Sequence, residues 1–335
     1  MTQRGRSLLL GLVVGLVAGW LLANSDSAKD FAVRLQNRDV VPALPAKLES
    51  ASFGSATYAG RLEDPELTEV SGLTASGREP DLLWALNDSS NEPSLYALKK
   101  DGGRRGRLRV RDTQNFDWEA LARFEKDGAP YLLIGDIGDN GSTRDHISFY
   151  AVKEPLLGPE GLAADASVPV AFTIDARYED GPRDAEAMAV DPRSQQILIL
   201  SKRTVPPVLY SLPLEATEPS QVAMAKRVGI VDRLPAPTEQ DLEEGGFLGR
   251  YYSQPTALRL ADDGRSAVVL TYKDAYEFPR NPNESWAEAL AQRPRRIPLP
   301  PLEQAEAAAL DPRDGSLWVT SEKRPAPLFH VPKHR

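Results

Sequence analysis

The sequence contains a short unit that occurs again near its C-terminal end. Residues 184–192 read DAEAMAVDP and precede an apolar run at 197–202, and residues 304–312 read QAEAAALDP and precede a similar run at 317–323. In both copies a polar or acidic residue, a small residue and an aliphatic residue hold the same positions. Recurrence of this kind indicates a repeated supersecondary unit of strand, tight turn and strand. Any fold of this chain must therefore accommodate repeats of that unit.

Five copies of the unit can be set in register, each with a first strand, a turn, a second strand and, less clearly in the fourth copy, a third strand. A fourth strand leads from one copy to the next. The last copy lacks this strand, and the segment at 56–62 can supply it. Four-stranded units closed in this way predict an all-β fold, a β-propeller whose ring is closed by an N-terminal strand. The copies begin at Glu69, Asp117, Asp184, Gln254 and Gln304.

The spacing of the copies leaves the number of blades open. Two of the steps between successive copies are short enough for one blade, and two are longer and contain insertions such as residues 236–252. We predict five blades, with six as the alternative if an insertion hides a divergent blade. A β-sandwich or a pair of β domains is the alternative to a propeller. Helical segments are expected only near 239–244 and 285–292.

The N-terminal segment has the pattern of an export signal. Arg4 and Arg6 precede an unbroken apolar run at 8–23, and polar and acidic residues follow. We predict a membrane anchor in residues 1–30, with a cleaved signal as the alternative, then a linker in residues 31–55 and the propeller domain in residues 56–335. Because positive charge stays inside, the propeller is expected in the periplasm, either anchored to the inner membrane or released into the periplasm after cleavage.

Composition excludes several classes of function. The chain has no cysteine, which rules out disulfides, thiolate nucleophiles and zinc sites of the cysteine type. Its three histidines are scattered, and its net charge of -8 argues against a nucleic-acid partner. The sequence contains no G-x-S-x-G elbow, Walker A motif or dinucleotide fingerprint.

Polar residues, many of them carboxylates, occur at two points of the units, the start of the first strand and the end of the second. In a propeller the first strands line the axis, so these two points meet at one rim. Carboxylates brought this close repel one another unless a cation compensates them, and a dense set of hard oxygen ligands suits calcium. The densest segment, 135–141, alternatively forms an ordinary turn between strands, and it lacks the ligand order of an EF-hand. The predicted metal ligands are Asp117, Glu119, Asp136, Asp139, Asp184 and Glu186. The same geometry also brings in Glu69, Ser71, Asn87, Asn140, Thr256 and Glu306.

Lysines follow the second strand in three units, at Lys202, Lys273 and Lys323. Together with Asp88 they are predicted to bind a small ligand, because ammonium groups at one rim can hold a phosphate or a carboxylate. The alternative is that the lysines balance the charge of the acidic ring. His146, beside the acidic loop, is either an acid or base for catalysis or an ordinary surface residue.

The segments WEALA at 118–122, GDIGDN at 135–140 and DAEAMAVDP at 184–192 together resemble a family of exported bacterial β-propellers. The resemblance covers nearly all of residues 57–331 and implies the fold and the export. In its layout the chain is more distantly similar to the β-propeller phytases and the calcium-activated nucleotidases, which place calcium and carboxylates at the propeller mouth. That likeness implies Ca²⁺ as a cofactor, although no stretch matches the calcium-binding motifs of either group.

Three functions follow from these patterns. The first is a membrane-anchored, extracytoplasmic propeller that binds Ca²⁺, a small ligand or both at an acidic central mouth. The second is a calcium-dependent hydrolase of phosphate esters, in which Lys202 and Lys273 receive the phosphate. The third is a scaffold whose rim loops bind a protein partner. The expected partners are a small-molecule or protein ligand at the propeller face and the membrane at the N-terminal segment, and the oligomeric state is left open.

Overall fold

The computed structural model describes residues 48–334. The predicted anchor in residues 1–30 and the predicted linker up to residue 47 lie outside the described residues. Between residues 48 and 334, no helix is long and apolar enough to cross a membrane.

The described chain is nearly all β, as the sequence predicts. The strands are β1 (Thr57–Arg61), β2 (Val70–Ala75), β3 (Leu82–Asn87), β4 (Ser94–Lys99), β5 (Arg104–Arg111), β6 (Trp118–Lys126), β7 (Ala129–Asp136), β8 (Ile147–Lys153), β9 (Ser167–Pro169), β10 (Phe172–Tyr178), β11 (Ala185–Asp191), β12 (Gln196–Ser201), β13 (Val208–Pro213), β14 (Ala223–Ile230), β15 (Pro255–Leu260), β16 (Ser266–Thr271), β17 (Ala275–Pro279), β18 (Arg295–Ile297), β19 (Ala305–Leu310), β20 (Leu317–Ser321) and β21 (Pro327–Val331). The helices are α1 (Glu239–Glu244), α2 (Gly246–Gly249) and α3 (Trp286–Leu290), and α1 and α3 confirm the two predicted helical segments.

The strands form antiparallel meanders around a common centre. The sheet orders are β1-β21-β20-β19, β2-β3-β4-β5-β9, β15-β16-β17-β18 and β11-β12-β13-β14-β10-β8-β7-β6. The eight-stranded sheet consists of two four-stranded units, whose outermost strands β10 and β14 pair in parallel. The first strands β2, β6, β11, β15 and β19 each contact the next, and β19 contacts β2. Four-stranded units with their first strands gathered at the centre are the architecture of a β-propeller.

Every first strand carries a β-bulge at the same place. The register between the first and second strands shifts near the start of the pairing, and one residue of the first strand is skipped. A bulge kinks the strand and redirects the skipped side chain. The five repeated units therefore share this bulge as well as their strand order. The five skipped residues, the bulge positions, are Ser71, Glu119, Glu186, Thr256 and Glu306.

Small side chains let the first strands lie close to one another. In β11 the alanines Ala185, Ala187 and Ala189 are all buried, and β19 has four buried alanines. Farther out, larger side chains such as Trp84 and Phe278 fill the space between the sheets. Removing this apolar surface from water stabilises the fold by about 25 cal/mol per Å².

A single arginine occupies the propeller axis. Arg259 of β15 is buried, and its guanidinium donates hydrogen bonds to backbone carbonyls instead of to a carboxylate. The acceptors are the oxygens of Ala308 at 2.6 Å, Met188 at 2.9 Å, Leu73 at 3.0 Å and Leu258 at 2.6 Å. These carbonyls belong to β19, β11, β2 and β15, so one side chain joins four first strands. Burial lowers the pKa of Arg259 to about 10.

The end of the segment predicted as a linker packs against the sheets. The Ser50 amide donates to the Arg296 carbonyl at 2.7 Å, and the Ser50 hydroxyl donates to Glu277 Oε2 at 2.5 Å. The Phe53 side chain is buried in an apolar cluster that includes Val331. Residues 50–53 therefore belong to the packed domain.

Candidate functional site

The ends of the second strands bring a further set of side chains to the same rim as the bulge positions. The amide of Asp88 donates to the Glu69 carbonyl at 2.8 Å, and the amide of Lys202 donates to the Asp184 carbonyl at 2.9 Å. In these two units the bonds tie the residue after the second strand to the segment before the first strand. The residues that follow the second strands, here called the strand-end positions, are Asp88, Ile137, Lys202, Tyr272 and Glu322.

Two of the bulge positions hold neighbouring blades together. The hydroxyl of Ser71 donates to the Trp118 carbonyl at 2.7 Å, and the hydroxyl of Thr256 donates to the Ala305 carbonyl at 2.8 Å. In both cases the acceptor lies just before the bulge position of the next first strand. The other three bulge positions hold the buried glutamates Glu119, Glu186 and Glu306. These glutamates make the central rim acidic, and this rim is here called the mouth.

Three carboxylates form the densest cluster at the mouth. Asp88, Asp117 and Glu119 each offer an oxygen that lies within 4.8 Å of the others. Gly138 makes room for them, because a Cβ at this position would lie 2.4 Å from Cγ of Asp117 and 2.9 Å from Cγ of Glu119. The acidic loop predicted from sequence therefore contributes a glycine that side chains of the cluster require.

The cluster holds protons more tightly than ordinary carboxylates do. Burial, the charges of Asp88 and Asp184 and a side-chain hydrogen bond with Asp88 raise the pKa of Asp117 to about 7. Burial and the charge of Asp88 raise the pKa of Glu119 well above its usual range. In the part of the chain that the structure describes, none of Asp88, Asp117 and Glu119 forms an ion pair with a lysine or arginine. A proton bound at Asp117 or Glu119 accordingly offsets part of the repulsion that a cation would remove.

Lys202 is the buried cation of the mouth. Its ammonium forms an ion pair with Glu186 and lies 5.0 Å from the centroid of the Tyr272 ring. The second oxygen of Glu186, Oε2, is buried and has no hydrogen-bond partner among the described residues. Burial raises the pKa of Glu306 to about 7 even though the Lys202 charge opposes the shift. One lysine thus compensates one glutamate and leaves the mouth strongly acidic.

Asp136, Asp139 and Asp184 reach the same rim but are engaged in ordering its loops. Asp136 forms an ion pair with Arg144 at 2.7 Å, and Asp139 accepts a hydrogen bond from the Arg144 amide at 2.8 Å. Asp184 accepts from the Asp139 amide at 2.9 Å and from Arg203 Nε at 2.6 Å. Arginines therefore compensate two of these three aspartates, whereas Asp88, Asp117 and Glu119 have no such partner.

Lys273 and Lys323 form ion pairs with carboxylates other than the partner of Lys202. Lys273 forms an ion pair with Asp241 of α1, and Lys323 forms one with Glu303 at 3.2 Å. Both lysine side chains are about half exposed. Each lies one residue beyond the strand-end position of its blade, and the strand-end positions themselves hold Tyr272 and Glu322.

Tyr272 and Glu322 are the site residues that the sequence analysis missed. Burial and the Glu306 charge raise the pKa of Tyr272, and burial followed by the charge of Asp88 raises that of Glu322. The sequence does carry a signal for them, because each is the residue directly after the second strand of its unit. His146 lies away from this cluster, on the exposed loop that lines a neighbouring cleft.

The raised pKa of Glu306 predicts that the metal-free protein is more stable in mild acid than in mild base. A carboxyl that binds its proton more tightly when folded adds stability below its unfolded pKa of about 4.3, and this contribution is lost as the pH rises through about 7. Thermal unfolding in a chelator at about pH 5 and about pH 8 tests this. The Glu306→Gln variant should show a weaker dependence than the wild type, and Glu303→Gln, which removes an exposed charge, should behave as the wild type. Equal pH dependence in Glu306→Gln would contradict the assignment.

Comparisons with known proteins give no family for this chain. No family model matches it, and no curated protein sequence matches it. A luciferin-regenerating enzyme is among the similar solved structures, with 10% identity and a TM-score of 0.41, over 82% of this chain and 92% of that chain. A chain of a nidogen/laminin complex has 14% identity and a TM-score of 0.39, over 76% of this chain and 73% of that chain. Similarity at this level carries no inference about activity, so the fold rests on the strand order described above and the resemblance to exported bacterial propellers stays a prediction.

Proposed function

We propose that this chain is a five-bladed β-propeller that binds Ca²⁺ at its acidic mouth through Asp88, Asp117 and Glu119. The observation that carries the proposal is the cluster of three carboxylates whose oxygens lie within 4.8 Å of one another. The raised pKa values of Asp117 and Glu119 support it, because burial and the charge of Asp88 both disfavour the ionised carboxylates and a bound cation would offset that cost.

Five blades and closure by the N-terminal strand are supported by the strand pairings. Five first strands contact one another in a cycle, and each begins a meander of its own. β1 pairs antiparallel with β21, with Thr57 opposite His330, and so completes the last meander. A sixth blade would need a further first strand between β19 and β2 or within an insertion, and the contacts of the described chain leave no gap in the cycle.

The donor set suits calcium. Calcium takes six to eight oxygens at about 2.3–2.6 Å, so oxygens bound to one ion lie up to about 5 Å apart. The separations in the cluster fall within that limit. Bidentate coordination, backbone carbonyls and water would complete the shell. Glu186 Oε2, buried and without a hydrogen-bond partner, is a further anionic oxygen at the same mouth.

The N-terminal pattern supports a proposal for location. Arg4 and Arg6 before the apolar run at 8–23 favour an anchor in the inner membrane with the propeller in the periplasm. Release into the periplasm by signal cleavage is the alternative. Both place the mouth outside the cytoplasm.

The hydrolase and the scaffold draw less support. A phosphate-ester hydrolase of the kind considered above needs Lys202 and Lys273 free to receive a phosphate, and both are held in ion pairs, with Glu186 and Asp241 respectively. For the scaffold, the large exposed apolar side chains of the described chain are few and are spread over separate elements. Binding of calcium therefore stands as the favoured function.

Thermal unfolding with calcium and with a chelator tests the proposal. A ligand that binds only the folded state stabilises it by about 2.7 kcal/mol at a concentration of 100 Kd, so the midpoint should rise with calcium and fall again in the chelator. The affinity should weaken as the pH drops below about 7, because protons and calcium compete for Asp117 and Glu119. A midpoint that is unchanged by millimolar calcium at mildly basic pH would sink the proposal.

A further inference from the structure

A second cleft lies beside the mouth, over the junction between two meanders. Its volume is about 320 Å³. The loop at 139–147 forms one wall and the segment at 177–183 forms another, and Met224 of β14 contributes to the floor. The parallel pairing of β10 with β14 sets the position of the cleft, since Arg177 lies opposite Met224 in that register. A volume of this size holds a small metabolite.

A buried hydroxyl in this cleft has no partner. The Tyr178 side chain is only 6% exposed, it lines the cleft, and its hydroxyl makes no hydrogen bond within the described chain. Leaving a buried donor unsatisfied costs about 1–3 kcal/mol, so such groups in folded proteins usually have a partner. Burial raises the pKa of Tyr178, which keeps the hydroxyl protonated and able to donate. The hydroxyl oxygen is also closed to solvent, so a ligand acceptor reaches it only when the side chains over it move.

Most charged side chains around the cleft are already engaged. Arg144 pairs with Asp136, and Arg183 forms an ion pair with Asp180 at 3.4 Å. Asp139 accepts hydrogen bonds from the amides of Thr143 and Arg144 at 2.9 Å and 2.8 Å. Glu179 Oε1 accepts from the Arg227 amide at 2.8 Å.

Two exposed charges of opposite sign are left. Arg177 and Asp145 both line the cleft, and neither side chain has a hydrogen bond or an ion pair to other residues in the range 48–334. The lining as a whole carries three arginines, Arg144, Arg177 and Arg183, and three acidic residues, Asp139, Asp145 and Glu179. A zwitterion can pair with both side chains at once, whereas a ligand with a single charge pairs with only one of them.

We propose that this cleft binds a small zwitterion, a free α-amino acid. Arg177 and the Tyr178 hydroxyl bind its carboxylate, and Asp145 binds its ammonium group. A guanidinium matches the planar geometry of a carboxylate, and the apolar side chains of Ile147 and Met224 offer contact to an aliphatic part of the ligand. The proposal is independent of calcium at the mouth, because none of the three carboxylates of the proposed calcium site lines the cleft.

A panel of the free L-α-amino acids, added to the full chain in the presence of a chelator, tests the proposal by thermal unfolding and calorimetry. At least one amino acid should raise the unfolding midpoint and give a saturable binding isotherm. Its analogues without the amino group or without the carboxylate should bind at least about tenfold more weakly. An absence of stabilisation across the panel, or equal binding of the deaminated analogue, would overturn the proposal.

Variants locate the binding. Arg177→Gln and Asp145→Asn should each weaken binding of the amino acid by about tenfold or more. Both variants should fold because the two side chains are exposed. Tyr178→Phe should weaken it as well, since it removes the buried donor. Arg111→Gln, which changes an exposed arginine of β5 far from the lining, should bind as the wild type does. Wild-type affinity in both Arg177→Gln and Asp145→Asn would contradict the assignment.

Discussion

The Arg259→Ala variant is expected to lose at least about 3 kcal/mol of its free energy of unfolding. Alanine would leave the carbonyls of Leu73, Met188 and Ala308 buried without their donor, and each unsatisfied group costs about 1–3 kcal/mol. The loss of the side chain also opens a cavity where four first strands meet. Equilibrium unfolding in denaturant measures the change.

Two further variants test whether the loss comes from the hydrogen bonds of Arg259. Arg259→Lys keeps the charge but offers three donors instead of five, so its stability should lie between those of the wild type and Arg259→Ala. Arg111→Ala removes an exposed arginine and should change stability by no more than about 0.5 kcal/mol. If Arg259→Ala does not fold, Arg259→Lys still gives the measurable loss. Stability of the two Arg259 variants equal to that of Arg111→Ala would show that the axial arginine does not hold the first strands together.

The Glu119→Gln variant is expected to lose the stabilisation by calcium, with an affinity at least about 100-fold weaker than that of the wild type. The amide keeps an oxygen at the site but removes the charge that calcium binding requires. In a chelator at mildly basic pH, the same substitution should leave the protein as stable as the wild type or more stable. The reason is that it removes a buried like charge, the one whose pKa is raised by burial and by Asp88.

The opposite signs of these two effects separate a binding role from a structural one. A residue needed only for packing would lower the unfolding midpoint with and without calcium. Glu303→Gln serves as the matched control, because it removes an exposed carboxylate whose partner is Lys323 outside the mouth. An unchanged calcium response in Glu119→Gln, with the wild-type affinity, would exclude Glu119 as a ligand.

The sequence predicts the repeats and the rim because these depend on local pattern. Turn residues and alternation define each strand pair, so the starts of the first strands at Glu69, Asp117, Asp184, Gln254 and Gln304 precede β2, β6, β11, β15 and β19 by one residue each. The convergence of Asp88, Asp117 and Glu119 follows from the same topology.

The sequence pattern could not predict the register of the second strand. Lys202, Lys273 and Lys323 look equivalent because each follows an apolar run, yet only Lys202 holds a strand-end position. A shift of one residue decides whether a side chain points to the mouth or to the outer rim. The bulges that set this register depend on pairing between strands.

The partners of individual polar side chains also could not be predicted from the sequence. Asp136 and Asp184 have the spacing of metal ligands, but their partners Arg144 and Arg203 are apparent only once the loops are in place. Arg259 stands in the segment PTALRL, where strand alternation alone does not distinguish an axial side chain from one facing solvent. Its backbone acceptors come from four separate strands and can be recognised only in three dimensions.

A crystal structure of the protein grown with calcium is the most direct test of the proposed function. Anomalous difference density should show one ion at the mouth, with oxygens of Asp88, Asp117 and Glu119 at about 2.3–2.6 Å. The carboxyl groups of Asp88 and Asp117 should both be ionised when they coordinate the ion, although the pKa of Asp117 is raised to about 7 without it. A structure at millimolar calcium and mildly basic pH with no ion at this cluster would contradict the proposed function.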